Sequence, residues 1–131
     1  MIETLLNLLG MKVGDIDKFV ISKGPGSFTG LRIGMTIAKT LAQATGKDLI
    51  AISTLLALAN NSSSARYKVP MIDARGNRVY AGVFDENFNE VIKEDLYTID
   101  DFAGRVNDLA CEVELIGTLN KKYGDKFDKA V

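Results

Sequence analysis

The sequence predicts an α/β protein made of two similar, incomplete halves, and three observations support this prediction. In the first half of the 131 residues, short apolar runs alternate with helical patterns. In the second half, three strand-like runs with turn signals between them precede a helix and a fourth strand. The order helix, strand, glycine-containing turn and helix occurs in both halves, which is the pattern of an internal duplication cut at both ends.

The first two helices are predicted from apolar spacing and capping residues. Apolar side chains repeat at helical spacing before Gly10, which we expect to end the first helix: Ile2, Leu5, Leu6, Leu8 and Leu9. The second helix is expected to begin at a cap, Ser27 or Thr29, and to run to about Thr45, where Gly46 stops it.

Two continuous apolar runs, Phe19–Ser22 and Leu49–Ser53, are predicted to be buried strands. Because helices separate them, we expect the strands to pair in parallel with both faces of their sheet covered. Ser53 also fits the N-cap of a third helix, Thr54–Ala59.

A polar run of small residues, Asn60–Tyr67, is the expected linker. It predicts a first half at residues 1–64 and a second half at residues 65–131. The second half reads as an antiparallel meander, a helix, a strand and a weaker polar helix: Tyr67–Ala74, Val79–Phe84, Phe88–Glu94, Thr98–Ala110, Val113–Gly117 and the residues after Gly117. Since the first half has no meander, we expect about forty residues of three-stranded meander before Met1.

Composition excludes several classes of function. Lys and Arg number 16 against 17 Asp and Glu, so the chain has no basic footprint for direct binding of nucleic acid. The absence of histidine excludes Ser-His-Asp and Cys-His catalysis and most zinc sites, and we expect no catalytic, metal or cofactor-binding residue. No apolar run approaches about 18 residues, so we expect no membrane contact and a cytoplasmic protein.

The loop from Gly24 to Gly34, GPGSFTGLRIG, lies between a strand and a helix, where phosphates often bind. It has no lysine after its last glycine, and three residues rather than two separate Gly26 from Gly30, so it matches neither standard nucleotide-binding motif. A tight turn with close backbone packing is therefore favoured over nucleotide binding.

Arg32 lies in the first turn of the second helix, where a cation meets the helix dipole unfavourably by about 0.3–1 kcal/mol. Its expected partner is an internal carboxylate, a partner protein or a phosphate. In the same helix small residues recur at Gly30, Gly34, Ala38 and Ala42. That stripe permits close packing on the protein's own sheet, or on a partner helix if the helix has two buried faces.

Two stretches resemble the signatures of the TsaB (YeaZ) family. The first is GPGSFTGLRIG, with Gly24, Pro25, Gly26, Ser27, Phe28, Thr29, Gly30, Arg32 and Gly34. The second is MIDARGNRVYAGVF, with Asp73, Ala74, Arg75, Val79 and Tyr80, in which Arg78 stands where an acidic residue is common. From its position at a strand end, Asp73 is expected to cap the turn rather than bind a metal.

The resemblance implies an actin-like ATPase fold of two ribonuclease-H-like halves, here without the starting strands of the first half and the C-terminal elements of the second. It implies a non-catalytic partner subunit of the machinery that makes threonylcarbamoyladenosine in tRNA. Such a subunit pairs with and activates a TsaD-like catalytic paralogue, and works with a TsaE-like ATPase. ATP with Mg²⁺ and threonylcarbamoyl-AMP belong to that complex, and tRNA is reached only through it.

In the family, pairing uses the first two helices, and the same surface can form homodimers. Carried onto this sequence, the expected partner contacts are Leu5, Leu8, Leu9, Leu31, Met35, Ala38 and Ala42. The alternative from another functional class is a nucleotide-dependent transferase or a glycoprotease-like metallopeptidase of the same superfold.

Overall fold

A computed structural model describes residues 2–61 and 66–130, which form two compact units, Met1–Ile52 and Ser53–Val131. The predicted boundary between residues 64 and 65, and the middle of the predicted linker, lie outside the described residues.

The first unit contains two helices and a two-stranded parallel sheet. A short 3-10 turn, Val13–Asp15, joins the first helix to the first strand. The elements are α1 (Ile2–Leu8), β1 (Lys18–Ser22), α2 (Phe28–Thr45) and β2 (Asp48–Ile52). Strands β1 and β2 pair in parallel with Val20 beside Ile50. The predicted elements and their parallel pairing are confirmed.

The ends of α2 follow from local chemistry. The Ser27 hydroxyl accepts a hydrogen bond from the Gly30 amide at 3.3 Å, which satisfies one of the amides that a helix start leaves unpaired. At the other end Gly46 has φ of 66°, and its N–H donates to the Ala42 carbonyl. Both predicted caps are confirmed, with Ser27 rather than Thr29 as the N-cap.

The expectation that both faces of the first sheet are covered is wrong. Ile21 points to α2, since a side chain at Gly34 would contact its Cδ1 atom. Residues alternate between the two faces of a strand, so Val20 and its neighbour Ile50 point to the opposite face. They are 59% and 42% exposed. A single helical layer is packed on this sheet within the described residues.

The second unit is a four-stranded sheet with helices on both faces. Its elements are α3 (Thr54–Ala59), β3 (Tyr67–Asp73), β4 (Arg78–Phe84), β5 (Glu90–Thr98), α4 (Ile99–Asn107), β6 (Val113–Ile116), and α5 (Asn120–Tyr123) with a 3-10 turn at Gly124–Lys126. The strand order is β5-β4-β3-β6. The meander β3-β4-β5 is antiparallel, as predicted, and β6 pairs in parallel with β3. Strand β5 runs to Thr98 rather than to the predicted Glu94, and α5 is a single turn.

The main core of the second unit lies between the sheet and α4. Its centre is the buried ring of Phe102, which packs with Val79, Ile99 and Val113. On the opposite face Leu55 and Ala59 of α3 pack against Phe84 of β4. The predicted first half includes α3, but by its packing α3 belongs to the second compact unit.

Candidate partner-binding face and family motifs

The glycine loop is a tight turn braced by one leucine. Gly24 has φ of 107°, a conformation that favours glycine, and a Cβ atom there would lie 3.1 Å from Cδ1 of Leu31. The same side chain is in contact distance of a Cβ built at Gly26, and the Leu31 amide donates to the Ser27 carbonyl at 2.8 Å. These contacts favour the structural interpretation of the glycines.

The small-residue stripe of α2 faces its own unit. A Cβ atom at Gly34 would lie 3.4 Å from Cδ1 of Ile21 in β1. Ala38 and Ala42 are 9% and 7% exposed. Both alanines were predicted as partner contacts, and the structure corrects this placement, because a residue buried in its own unit presents no surface to a partner.

A second, apolar face of the α1 and α2 helices is exposed. We call it the α1/α2 face and define it by its large exposed side chains: Leu5, Leu8, Leu9, Phe28, Ile33 and Ile37. Leu8 is 81% exposed and Phe28 is 74% exposed. The two helices are neighbours, since Ile2 and Leu6 of α1 line a hollow of about 430 Å³ together with Ile37 and Leu41 of α2. Large exposed apolar side chains on two neighbouring helices indicate an interaction surface.

The structure divides the predicted partner contacts into three groups. Leu5, Leu8 and Leu9 lie on the α1/α2 face, Leu31 and Met35 are half-buried beside it, and the two alanines are buried. Ile33 and Ile37 are exposed on this face but are absent from the predicted set. Their spacing of four residues would have identified them, one position before the stripe of Gly34 and Ala38.

Arg32 has an exposed guanidinium group beside this face. Its Cζ atom lies 5.4 Å from the centre of the Phe28 ring, a cation–π contact. No carboxylate pairs with it in residues 2–61 and 66–130. The internal carboxylate that the sequence analysis allowed is therefore not found in the described residues.

The second motif forms the turn between β3 and β4. The Asp73 carboxylate accepts a hydrogen bond from the Arg75 amide at 2.9 Å, so its predicted role as a turn cap is confirmed. Arg75, Gly76 and Asn77 all have φ near 60°, and Ala74 donates to the Arg78 carbonyl to close the turn. Of the remaining motif residues, Val79 is buried in the core and Tyr80 is exposed.

This turn is tied to the start of α4. The Ile99 amide donates to the Asn77 carbonyl at 3.0 Å, and the Asn77 side chain donates to the Asp100 carboxylate at 3.3 Å. A hydrogen bond from Lys126 lowers the pKa of Asp100, and the charge of Lys126 acts in the same direction. These hydrogen bonds give the turn a structural role, which is to hold the start of α4.

The described residues contain no group of three or more His, Cys, Asp or Glu side chains arranged to hold a metal ion. Among the helices that the structure describes, none has the length and hydropathy needed to cross a membrane.

Comparisons with known proteins agree on one family. The family described as "TsaD: tRNA N6-adenosine threonylcarbamoyltransferase" matches residues 1–127. The tRNA threonylcarbamoyladenosine biosynthesis protein TsaB of Bacillus subtilis is 43% identical over 84 residues, which cover 63% of this chain and 37% of that protein. The protein of the same name from Escherichia coli is 34% identical over 94 residues, covering 70% of this chain and 41% of that protein.

The fold agrees with a solved structure of this family. YeaZ from Pseudomonas aeruginosa superposes with a TM-score of 0.81 at 25% identity, covering 99% of this chain and 64% of that one. The chain thus spans about two fifths of the curated relatives it matches and has the α/β, actin-like fold of ribonuclease-H-like halves that the resemblance implied. It belongs to the TsaD family, and within that family to the TsaB (YeaZ) members.

Proposed function

We propose that this chain acts in the biosynthesis of threonylcarbamoyladenosine in tRNA as a partner subunit that binds and activates a TsaD-like catalytic paralogue. The observation that carries the proposal is the α1/α2 face. Its apolar side chains are exposed on two neighbouring helices, of which α2 packs on β1 through Gly34. Relatives named for the same biosynthesis support the assignment.

The physical reason for association is burial of this face. Covering a large aliphatic or aromatic side chain stabilises a complex by about 1.5–3 kcal/mol before the costs of association are counted. Several such side chains on one face supply enough favourable free energy for a specific complex. The glycine motif contributes by turning the chain into α2 and by allowing that helix to approach β1 closely.

The experiment is sedimentation velocity of the 131-residue chain mixed with the purified TsaD paralogue from the same genome. We expect a heteromeric species. Leu5→Asp and Ile33→Asp place a charge on the exposed face and should abolish that species without unfolding the chain. Val91→Asp is the matched control, since Val91 is an exposed apolar residue of β5, outside this face.

Two results would overturn the proposal. One is the absence of any heteromeric species with the wild-type chain. The other is a complex that tolerates Leu5→Asp and Ile33→Asp as well as it tolerates Val91→Asp.

The remaining parts of the proposed function concern the whole complex. Nearly equal numbers of cationic and anionic residues support indirect contact with tRNA, since direct binding needs clustered cations. ATP with Mg²⁺ and threonylcarbamoyl-AMP are assigned to the catalytic paralogue and to a TsaE-like ATPase in the cytoplasm. Calorimetric titration with ATP tests the assignment, because micromolar binding by this chain alone would favour the transferase alternative.

A further inference from the structure

The outer edge of β1 has no strand partner in the part of the chain that the structure describes. The first sheet has the order β1-β2, so β1 pairs on one side only. Just after β1, the Lys23 amide donates to the Ile52 carbonyl at 2.8 Å, on the β2 side. Backbone groups of successive residues point to alternate sides of a strand, so Val20 directs its N–H and C=O groups to the outer edge. Such an edge is a template for pairing with another chain.

The side chain at the middle of this edge is apolar and exposed. Val20 lies on the face of the sheet opposite to α2, beside Ile50 of β2, and both side chains are exposed. A further β-strand at the edge would satisfy the backbone groups of Val20 and also cover part of its side chain. An occupant that does both is a strand with an apolar residue opposite Val20.

The charges around Val20 identify the strand that fits. Asp17 lies three residues before Val20 and Lys23 lies three residues after it. Both are exposed, and neither forms an ion pair within the described residues. If a second copy of β1 runs antiparallel with Val20 opposite Val20, Asp17 of each copy faces Lys23 of the other, and Phe19 faces Ile21. In registers centred on Phe19 or Ile21, Asp17 faces no cation.

From these observations we infer that the chain forms a two-fold dimer in which the β1 strands of two copies pair antiparallel about Val20. The Val20 N–H group of each copy donates to the Val20 carbonyl of the other. The two sheets thereby join into one sheet of four strands in the order β2-β1-β1-β2. Because the contact is two-fold, the pair of Asp17 and Lys23 occurs at both ends and specifies the register.

The first experiment tests the register by disulfide formation in the 131-residue chain carrying Cys111→Ser. In a hydrogen-bonded antiparallel pair, opposite Cα atoms are about 5.5 Å apart, which a disulfide can span. Val20→Cys should therefore form a covalent dimer on mild oxidation. Ile50→Cys is the matched control on the same exposed face, because its two copies would lie about 15 Å apart and should not be linked above the rate of random collision.

The second experiment tests the charges by sedimentation equilibrium. Asp17→Lys and Lys23→Asp each place like charges at both ends of the strand pair, so each should weaken self-association on the order of tenfold. The chain with both substitutions should dimerise as the wild type does, since it restores opposite charges. An equimolar mixture of the two single variants should form a heterodimer for the same reason. Circular dichroism should show equal folding, because both replaced side chains are exposed.

A third comparison separates this dimer from binding at the α1/α2 face. Leu5→Asp and Ile33→Asp change exposed helical residues outside the β1 edge, so they should leave self-association unchanged. The β1 dimer uses backbone groups and the Asp17–Lys23 pair, none of which belongs to that face. It therefore goes beyond the proposed function and does not depend on it.

Any one of four results would refute the β1 dimer. The wild-type chain could remain a monomer at the highest concentration that stays in solution, or Val20→Cys could be linked no faster than Ile50→Cys. The double charge variant could associate as weakly as the single variants do, or Leu5→Asp could abolish self-association. None of these results concerns the complex with the catalytic paralogue, so the proposed function is tested separately.

Discussion

Substitution of Gly117 by alanine should destabilise the second unit strongly. Gly117 follows β6 and has φ of 124°, and a Cβ atom built there would lie 2.6 Å from the carbonyl oxygen of Met71 in β3. That separation is shorter than real Cβ contacts. The oxygen belongs to a strand held between β4 and β6, so it cannot move without disturbing both pairings.

The magnitude follows from two terms. A residue other than glycine in a sparsely populated backbone region costs about 1–3 kcal/mol. Displacing the β3 backbone weakens at least one sheet hydrogen bond, which contributes about 0.5–1.5 kcal/mol. We therefore expect the free energy of unfolding to fall by about 2–4 kcal/mol.

The assay is urea unfolding followed by tyrosine fluorescence. All four tyrosines, Tyr67, Tyr80, Tyr97 and Tyr123, lie in the second unit, and the chain has no tryptophan, so this signal reports that unit alone. Gly104→Ala is the matched control. It makes the same chemical change within α4, where a Cβ atom meets nothing within 4 Å, and should stabilise the unit by about 0.5–1 kcal/mol.

The two alanine variants should thus move in opposite directions. If Gly117→Ala leaves the urea midpoint at the wild-type value, or shifts it as Gly104→Ala does, the close approach to Met71 does not destabilise a side chain at residue 117. The steric argument would then be refuted.

Two further predictions concern capping groups. Ser53→Ala should lower the free energy of unfolding of the second unit by about 1–2 kcal/mol. The reason is that the Ser53 hydroxyl accepts hydrogen bonds from the Leu55 and Leu56 amides and donates one to Glu94. A change in the urea midpoint no larger than its experimental error would contradict this prediction. Hydrogen bonds, the largest contribution coming from the Asn89 side chain, lower the pKa of Asp85 in the folded protein. The ionised carboxylate therefore stabilises the fold above the unfolded pKa of about 3.9. This stabilisation is lost as the pH falls through the folded pKa. Urea midpoints measured from pH 7 to pH 2.5 should fall less for Asp85→Asn than for the wild type, and parallel curves would argue against it.

The ends of α2 and the start of α3 were predictable because local chemistry sets them. Ser27 and Ser53 accept hydrogen bonds from helix-start amides, and Gly46 adopts the left-handed conformation that ends α2. The exposure of Val20 and Ile50 was not predictable from their apolar runs. A continuous apolar strand has the same sequence pattern whether one face or both faces of its sheet are covered.

The α1/α2 face was predictable only in part for a related reason. The spacing of Leu5, Leu8 and Leu9 indicates an apolar helix surface, and the structure shows these residues exposed. The stripe through Ala38 and Ala42 allows close approach to any neighbour, so the sequence left two orientations open. The contact of Gly34 with Ile21 decides between them, and it depends on tertiary packing that no local pattern encodes.

The two units contain complementary parts of one repeated fold, although the halves at residues 1–64 and 65–131 stay a prediction, since the units divide after Ile52. The first unit has a parallel strand pair joined by α2, and the second has the meander and β6. Beside β6, Ala130 forms an isolated parallel bridge to Val113, at the position that β2 occupies beside β1.

Each unit also has a left-handed glycine just after its parallel strand, Gly24 after β1 and Gly117 after β6, where a Cβ atom would press on a neighbour. Gly117 lies outside both family motifs but meets the same geometric requirement, so a glycine at this turn is a feature of the fold rather than of a ligand site. In the first motif the glycines and Ser27 are thus accounted for by turning, capping and packing. Arg32 contacts the Phe28 ring but pairs with no carboxylate within the described residues. An exposed cation without a carboxylate, beside an apolar face, is the residue that we expect partner recognition to require.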